Sequence, residues 1–236
     1  MLTNVYPLDP ERKKVLLSFQ KDLCVKFKNI DLLNTALIHR SLSNEQRIST
    51  DNERLEFLGD AILGMVTSAL LYRNFADRNE GQMAKIKAAA VSEKTLARRA
   101  REMQIDNVLL MGKGEEQTGG RKKNAILADA LEALIAAYYL DSGYKSVFEF
   151  VSNFMEKEIV RVMSDNGDYK SRLQEASARR FKAAPVYRLV KHSGPEHERS
   201  FFVEVTVNGK TFGPAEGKNK KTAEQEAAKA AFSALF

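Results

Sequence analysis

Cysteine and histidine are scarce in this chain of 236 residues, which has one cysteine, Cys24, and three histidines. A single cysteine excludes an intramolecular disulfide and a cysteine-based metal cluster, and it is typical of a reducing compartment. No apolar run reaches membrane-spanning length. The opening segment also lacks the charged region and apolar core of a secretory signal. We therefore expect a cytoplasmic protein with no membrane partner.

Apolar residues make up 44% of the sequence, which is enough to build a core, and the charge is unevenly distributed. Residues 1–167 hold 24 Lys+Arg against 23 Asp+Glu, whereas residues 168–236 hold 13 against 8. A small basic module attached to a larger, nearly neutral one predicts a polyanionic partner that the basic module attracts.

Acidic and large apolar residues alternate in residues 51–64, DNERLEFLGDAILG. Glu53, Glu56 and Asp60 stand at i, i+3 and i+7, so a helix would place the three carboxylates on one side. A solvated acidic stripe is the ordinary alternative. The residues after Asp60 are apolar nearly all round, which indicates a buried helix, and we expect Asp60 near the interior.

A second acidic pair lies in residues 125–140, AILADALEALIAAYYL, where Asp129 and Glu132 are the only charges. A carboxylate in such a helix must be protonated, paired with a cation or bound to a metal. If the two acidic helices pack together, Glu56 and Asp60 meet Asp129 and Glu132. That all-oxygen cluster suits Mg²⁺ or Mn²⁺. Without histidine or cysteine, zinc is not expected.

The surrounding pattern predicts further helices in the larger part of the chain. Pro10 suits a helix start, and apolar spacing continues that helix to Phe27. Gly143 is predicted to close the helix that carries the second acidic pair. His39, at the end of a short helix, is interpreted as structural. Ser92 is a predicted N-cap, and the arginines after it either are solvated or contact phosphate. These arginines are Arg98, Arg99 and Arg101.

The last third of the chain changes from helical to alternating periodicity. Residues 164–168, SDNGD, are typical of a linker, so we predict domains at 1–163 and 169–236. The predicted order in the second domain is α-β-β-β-α, with an Asn-Gly hairpin turn between the last two strands. The predicted elements are a helix at 169–182, strands at 186–191, 200–207 and 210–214, and a helix at 220–235.

The segments NERLEFLGDAIL and ILADALEALIAAYYLDSG, some seventy residues apart, resemble the paired signature of the ribonuclease III family in its short bacterial form. These enzymes are endonucleases of double-stranded RNA. The similarity runs from about Phe19 to the C-terminus. The resemblance implies four metal-binding carboxylates, of which Asp60 and Glu132 are also catalytic. It implies a less direct part for two further acids. The four are Glu56, Asp60, Asp129 and Glu132, and the other two are Glu53 and Glu80.

The basic module resembles a double-stranded-RNA-binding domain, which reads the shape of A-form RNA across its minor groove. This resemblance implies that Gln174 and Glu175 meet ribose hydroxyls and that the loop of His197 enters a second minor groove. It also implies that three lysines hold phosphates, although a solubilising lysine run is the alternative. The lysines are Lys218, Lys220 and Lys221.

The expected fold is an all-α ribonuclease III-type nuclease domain followed by an α+β RNA-binding domain. The expected activity is Mg²⁺-dependent hydrolysis of double-stranded RNA to 5′-phosphates and short 3′ overhangs, in rRNA or mRNA processing. The family resemblance implies a homodimer, with Phe57 either at the interface or in the core. The glycine-rich residues 112–123 lack a Gly-Lys-Ser/Thr ending, so no nucleotide cofactor is expected. Their basic residues are available to an RNA backbone: Arg121, Lys122 and Lys123.

A non-catalytic scaffold that binds double-stranded RNA is the alternative function. It would require the loss of at least one of the four implied metal ligands. All four positions carry the expected acid.

Overall fold

Two compact units divide the chain, one from Met1 to Val162 and the other from Met163 to Phe236. The computed structural model describes residues 6–165, 169–195 and 199–236. The helices of the first unit are α1 (Pro10–Asp22), α2 (Ile30–Ala36), α3 (Arg40–Gln46), α4 (Glu53–Asn74), α5 (Glu80–Ala90), α6 (Glu93–Glu102), α7 (Ile105–Val108), α8 (Lys113–Gln117) and α9 (Asn124–Asp165), with a 3₁₀ turn at Gly120–Lys122.

The core of the first unit forms around α4 and the first part of α9. Leu63 of α4 and Leu131 of α9 are fully buried, and Leu134 is 1% exposed. The helical geometry of α9 breaks at Gly143, which adopts a φ of 80° that favours glycine. This break confirms the expectation that Gly143 closes the helix that carries the second acidic pair.

Helix α4 corrects the expectation about apolar length. By length and composition it could cross a membrane, since an 18-residue window has a mean hydropathy of 1.4. Residues such as Leu63, Val66 and Leu71 of this helix are buried inside the unit. Its apolar character is therefore accounted for by packing in the core, as in other central helices.

The N-terminal helix α1 is shorter than its apolar spacing predicts. Asp9 caps it and Pro10 takes its first position, but the helix ends at Asp22, and Cys24 adopts a left-handed φ of 55°. Arg12 anchors the helix: its Nε donates to Asn34 Oδ1 at 2.9 Å and its Nη1 donates to the carbonyl of Val108 at 2.6 Å. Burial lowers the pKa of Arg12 to about 10, so it remains a cation at neutral pH.

Two short helices, α3 and α8, are not among the predicted elements, and α8 lies in the glycine-rich residues 112–123. Both are polar and too short to show an apolar repeat, which is why periodicity did not reveal them. His39 is the N-cap of α3, and its Nδ1 accepts from the backbone N–H of Ser41 at 3.3 Å. This capping role agrees with the structural interpretation of His39.

The second unit is a three-stranded antiparallel sheet with two helices packed against one face. Val203, Val205 and Val207 of the central strand are fully buried beneath those helices. The hairpin turn has positive φ at both central residues, Asn208 and Gly209, as an Asn-Gly turn predicts. The elements are α10 (Tyr169–Phe181), β1 (Val186–Ser193), β2 (Ser200–Val207), β3 (Lys210–Gly217) and α11 (Lys220–Leu235).

The segment predicted as a linker, residues 164–168, is partly helical. Helix α9 continues to Asp165, two residues into it, and residues 166–168 lie outside the described part of the chain.

Candidate metal centre and nucleic-acid interface

Three carboxylates from two helices meet on the first unit. Glu56 projects from α4, and Asp129 and Glu132 project from α9. One carboxylate oxygen of each lies within 4.8 Å of the others, and all three side chains are partly buried. The i, i+3 spacing of Asp129 and Glu132 puts both on the face of α9 that meets α4. The expected pairing of the two acidic helices is therefore present.

Gly59 lets the two helices approach this closely. A Cβ atom at this position would overlap the backbone carbonyl of Glu132 and would lie 3.0 Å from the Cα of Glu132. Gly59 is itself buried on α4, three residues after Glu56. Any side chain here would push apart the backbones that carry the carboxylates.

Burial and mutual repulsion raise the pKa values of the carboxyl groups in this cluster. Burial first, and then the negative charges of Asp60, Asp129 and Glu56, raise the pKa of Glu132 to about 7. The pKa of Glu56 is raised by burial first and then by the nearby charge of Asp129. Burial likewise raises the pKa of Asp129. A metal cation would remove this repulsion by neutralising the carboxylates.

Asp60 lies at the edge of the cluster. Its side chain is exposed, so the expectation that it sits near the interior is wrong. It is nevertheless close enough for its charge to raise the pKa of Glu132 and of Glu56. Along α4 the acidic residues therefore run from the partly buried Glu56 to the exposed Asp60.

The auxiliary acids occupy different settings. Glu53 is exposed and pairs with Arg40, whose Nη1 lies 2.8 Å from a Glu53 carboxylate oxygen. Glu80 is exposed in the first turn of α5. Glu93, the first residue of α6, is a further acid that the sequence did not single out, and its charge raises the pKa of Asp129. Its place after Ser92 indicated only a helix start, so the sequence carried no signal for its position beside the cluster.

The donor set fits a hard divalent cation. Carboxylate oxygens are the ligands that Mg²⁺, Mn²⁺ and Ca²⁺ prefer, and a cation among several close acids stabilises their ionised forms. Histidine and cysteine are absent from this group of three. Glu56, Asp129 and Glu132 could hold the ion directly, and Asp60 could reach it from the exposed side.

Family models match both units of the chain. A "Ribonuclease-III-like" model matches residues 29–159, and a "Double-stranded RNA binding motif" model matches residues 169–235. The chain is 52% identical to "Ribonuclease 3" of Treponema denticola over 97% of its own length and 94% of that protein. The chain belongs to the ribonuclease III family. It is also 44% identical to "Ribonuclease 3" of Borreliella burgdorferi, over 95% of this chain and 93% of that one.

Solved structures agree with this assignment. The nuclease domain of ribonuclease III from Campylobacter jejuni is 39% identical, with a TM-score of 0.56, and the match covers 59% of this chain and 95% of that domain. The fold and activity predicted from the resemblance are thus confirmed: the chain is a double-stranded-RNA-specific endoribonuclease with a helical nuclease domain and an RNA-binding domain. The scaffold alternative is not favoured.

In the RNA-binding domain, the described residues that are expected to contact RNA are exposed to solvent. Gln174 and Glu175 are exposed on α10. Exposed lysines surround the start of α11, where Asn219 caps the helix by accepting from Thr222 N–H at 2.9 Å. His197 lies outside the described residues. The lysines, which pair with no acid among the residues described, are Lys218, Lys220 and Lys221.

The basic residues near the nuclease site are largely engaged within the ribonuclease III fold. Arg121 donates to Glu116 at 2.6 Å, and Lys123 donates to Glu115 at 2.7 Å, so both have an acidic partner within the protein. Contact of these residues with RNA stays a prediction. Arg98 pairs with the buried Glu158 and Arg99 pairs with Glu102, as structural ion pairs rather than solvated charges. Arg101 donates to Asn124 Oδ1 at 2.7 Å.

Proposed function

We propose that Glu56, Asp60, Asp129 and Glu132 bind Mg²⁺, with Mn²⁺ able to substitute, and that Asp60 and Glu132 are the catalytic acids. The observation that supports this is the meeting of three partly buried carboxylates from α4 and α9 within 4.8 Å. When bound, divalent ions supply an activated water and stabilise the departing 3′-oxygen of the phosphodiester. No nucleotide cofactor takes part.

The chain's own contribution to this chemistry is placement. Helices α4 and α9 fix the carboxylates on rigid backbones in contact, so little reorganisation is needed when an ion binds. Without the ion the pKa of Glu132 is about 7. A bound cation would lower it, so ion binding favours the ionised carboxylate. Glu53 and Glu80 contribute less directly, through the negative potential around the site.

RNA contacts follow from the exposed residues of the second domain. We assign ribose contacts to Gln174 and Glu175 and phosphate contacts to Lys218, Lys220 and Lys221, with the loop of His197 in a second minor groove. Exposed, unpaired ammonium groups beside a helix N-terminus support the phosphate assignment. The proposed domain limits are 1–163 and 169–236, and the proposed compartment is the cytoplasm, as the single thiol suggests.

Duplex cleavage with matched acid variants tests the metal site. Wild-type protein with Mg²⁺ is expected to cut a long RNA duplex, and EDTA is expected to stop it. Asp129→Asn should slow cleavage by at least ~1,000-fold, because the metal contributes several kcal/mol to the reaction. Glu149→Gln alters an exposed acid of the same helix and should cut like wild type. Equal rates for the two variants would rule out the assignment.

A homodimer of the nuclease domain is supported by the exposed face of α4. Phe57 is 82% exposed and Tyr72 is 77% exposed, which excludes a core position for Phe57. Met65 lies between them on the same face. Large apolar side chains in one exposed row mark an interface. If each protomer cuts one strand, the products carry 5′-phosphates and short 3′ overhangs, as expected for rRNA or mRNA processing.

Sedimentation measures the dimer directly. Wild-type protein at micromolar concentration is expected near 53 kDa, twice the 26.5 kDa of one chain. Phe57→Asp should shift the mass towards one chain, because a charge in the apolar row cannot be solvated in the interface. Leu17→Asp places the same charge at an exposed apolar position of α1 and should leave the dimer intact. A wild-type monomer that still cleaves RNA would contradict the dimer.

A further inference from the structure

Lys87 of α5 has an unusual environment for a lysine. It is half-buried, whereas every other lysine in residues 6–165 is exposed. Its side chain makes no ion pair and no hydrogen bond with the residues that the structure describes. The protein therefore covers part of this side chain without giving its ammonium a partner, which leaves the ammonium available to another molecule.

The ammonium of Lys87 lies against the helix that carries the acidic row. A Cβ atom added to Gly64 would lie 3.4 Å from Lys87 Nζ and 3.6 Å from its Cε, so the side chain occupies the space that the glycine leaves open. Gly64 follows Asp60 by four residues and Glu56 by eight, which puts all three on one face of α4. Two carboxylates and an ammonium therefore follow one line along the helix, and one turn, or about 6 Å of rise, separates Gly64 from Asp60.

Lys87 is not the counter-ion of the carboxylates. The charge that favours ionisation of Glu56 is that of Arg40, and no cation offsets the repulsion at Glu132. No acid in the described residues pairs with Lys87. The protein therefore leaves the charge of Lys87 uncompensated. Because Gly64 is one helical turn from Asp60, a substrate strand bound at the cluster could also reach this ammonium.

We propose that Lys87 is a positioning residue, whose ammonium binds a non-bridging oxygen of the phosphodiester next to the one cut at the acidic cluster. This inference rests on the proposed metal site, since it places the scissile phosphate there. Neighbouring phosphates of one strand are separated by a distance comparable to one helical turn, so a strand that lies along α4 brings the next phosphate to Gly64. Lysine binds phosphate as a compact point charge.

The decisive experiment is a cycle that combines Lys87→Met with a neutral methylphosphonate in the RNA. A short duplex with a single cleavage site carries the methylphosphonate at the linkage on either side of the scissile bond, and single-turnover rates are measured at saturating full-length protein with Mg²⁺. Lys87→Met is expected to slow cleavage of normal RNA by ~10- to 100-fold, the usual range for one charge-assisted contact. At one flanking linkage, the methylphosphonate should slow wild type by a similar factor and should barely slow Lys87→Met further.

Control variants separate contact with RNA from effects on folding. Lys85→Met removes an exposed ammonium from the same helix and should change the rate by less than about 2-fold. Lys87→Arg should recover most of the lost rate, since it restores the charge. The KM of Lys87→Met should stay close to that of wild type, because the RNA-binding domain supplies most of the affinity. Its melting temperature should not fall, because no intramolecular partner is lost.

Several results would overturn the proposal. Fully additive losses at both flanking linkages would show that Lys87 touches neither phosphate. The proposal would also be overturned if the methylphosphonate slowed wild-type cleavage at neither linkage. This measurement needs no variant, so it remains decisive even if Lys87→Met folds poorly. The metal site fails separately, if Asp129→Asn cleaves as fast as wild type while the cycle still shows coupling.

Discussion

Gly59→Ala is expected to slow cleavage by at least ~100-fold and to lower the melting temperature by ~2–12 °C. The added methyl group would overlap the backbone carbonyl of Glu132. This carbonyl is part of a helix and cannot rotate away as a flexible side chain could, so the two helices would have to move apart. Overpacking of this kind costs ~1–3 kcal/mol, and in a domain of this size each kcal/mol corresponds to ~2–4 °C. Displacing α9 by even 1 Å would misplace the carboxylates and slow catalysis by at least ~100-fold.

Gly64→Ala is the matched control for stability. It lies five residues further along the same helix, and its added methyl group would meet only the flexible end of Lys87. In a helix interior alanine is favoured over glycine by ~0.5–1 kcal/mol, so this variant should melt at or above the wild-type temperature. If Gly59→Ala melts and cleaves like wild type, the close approach of α4 and α9 at Gly59 is not required for the site.

Glu132→Gln is expected to abolish cleavage while raising the melting temperature in EDTA at pH 7.5 by about 2–6 °C. The folded-state pKa of Glu132 is raised to about 7 from an ordinary value of 4.5. Between those values the folded protein keeps a proton that the unfolded chain has released, so stability falls as pH rises from about 4.5 to about 7 and changes little above that. Partial exposure screens the effect, which leaves ~1–2 kcal/mol at neutral pH. The amide cannot ionise and avoids this loss.

Melting curves of wild type and Glu132→Gln across pH 4.5 to 8, with and without Mg²⁺, test this. Wild type should lose stability with rising pH more steeply than the variant, and Mg²⁺ should stabilise wild type more, because it binds the folded cluster. Glu149→Gln should follow wild type in both arms. A variant that melts well below wild type in EDTA, with equal Mg²⁺ shifts, would identify Glu132 as a structural hydrogen-bonding group instead.

The sequence predicts most of this architecture because its strongest patterns are local. The two acidic helices, the break at Gly143 and the Asn-Gly hairpin each follow from neighbouring residues and agree with the structure. The exposure of Asp60 could not be predicted from its neighbours in the sequence, because it depends on which side of α4 meets α9. Glu93 reaches the cluster from a different helix, and such tertiary proximity leaves no spacing in the sequence.

The roles of single glycines and cations are likewise tertiary. Gly59 resembles Gly64 in the sequence, since both interrupt an apolar helix, yet only Gly59 lies against another backbone. Arg121 and Lys123 appear in a basic run that suggests RNA contact, but each is paired with an acid of the short helix α8. Sequence charge counts report the presence of these groups and not whether a neighbour has already neutralised them.

The central packing of α4 against α9 has a consequence for the growing chain on the ribosome. Gly59 of α4 is made about 70 residues before Glu132, the α9 residue that it lies against, which corresponds to about 4–15 s of synthesis. During that interval the face of α4 that packs against α9 has no partner, although α5 is already available to another side of the helix. Arg12 must also wait for the Val108 carbonyl before α1 can dock. The nascent nuclease domain is therefore most exposed to aggregation, and most dependent on chaperones, between the synthesis of its first and its second acidic helix.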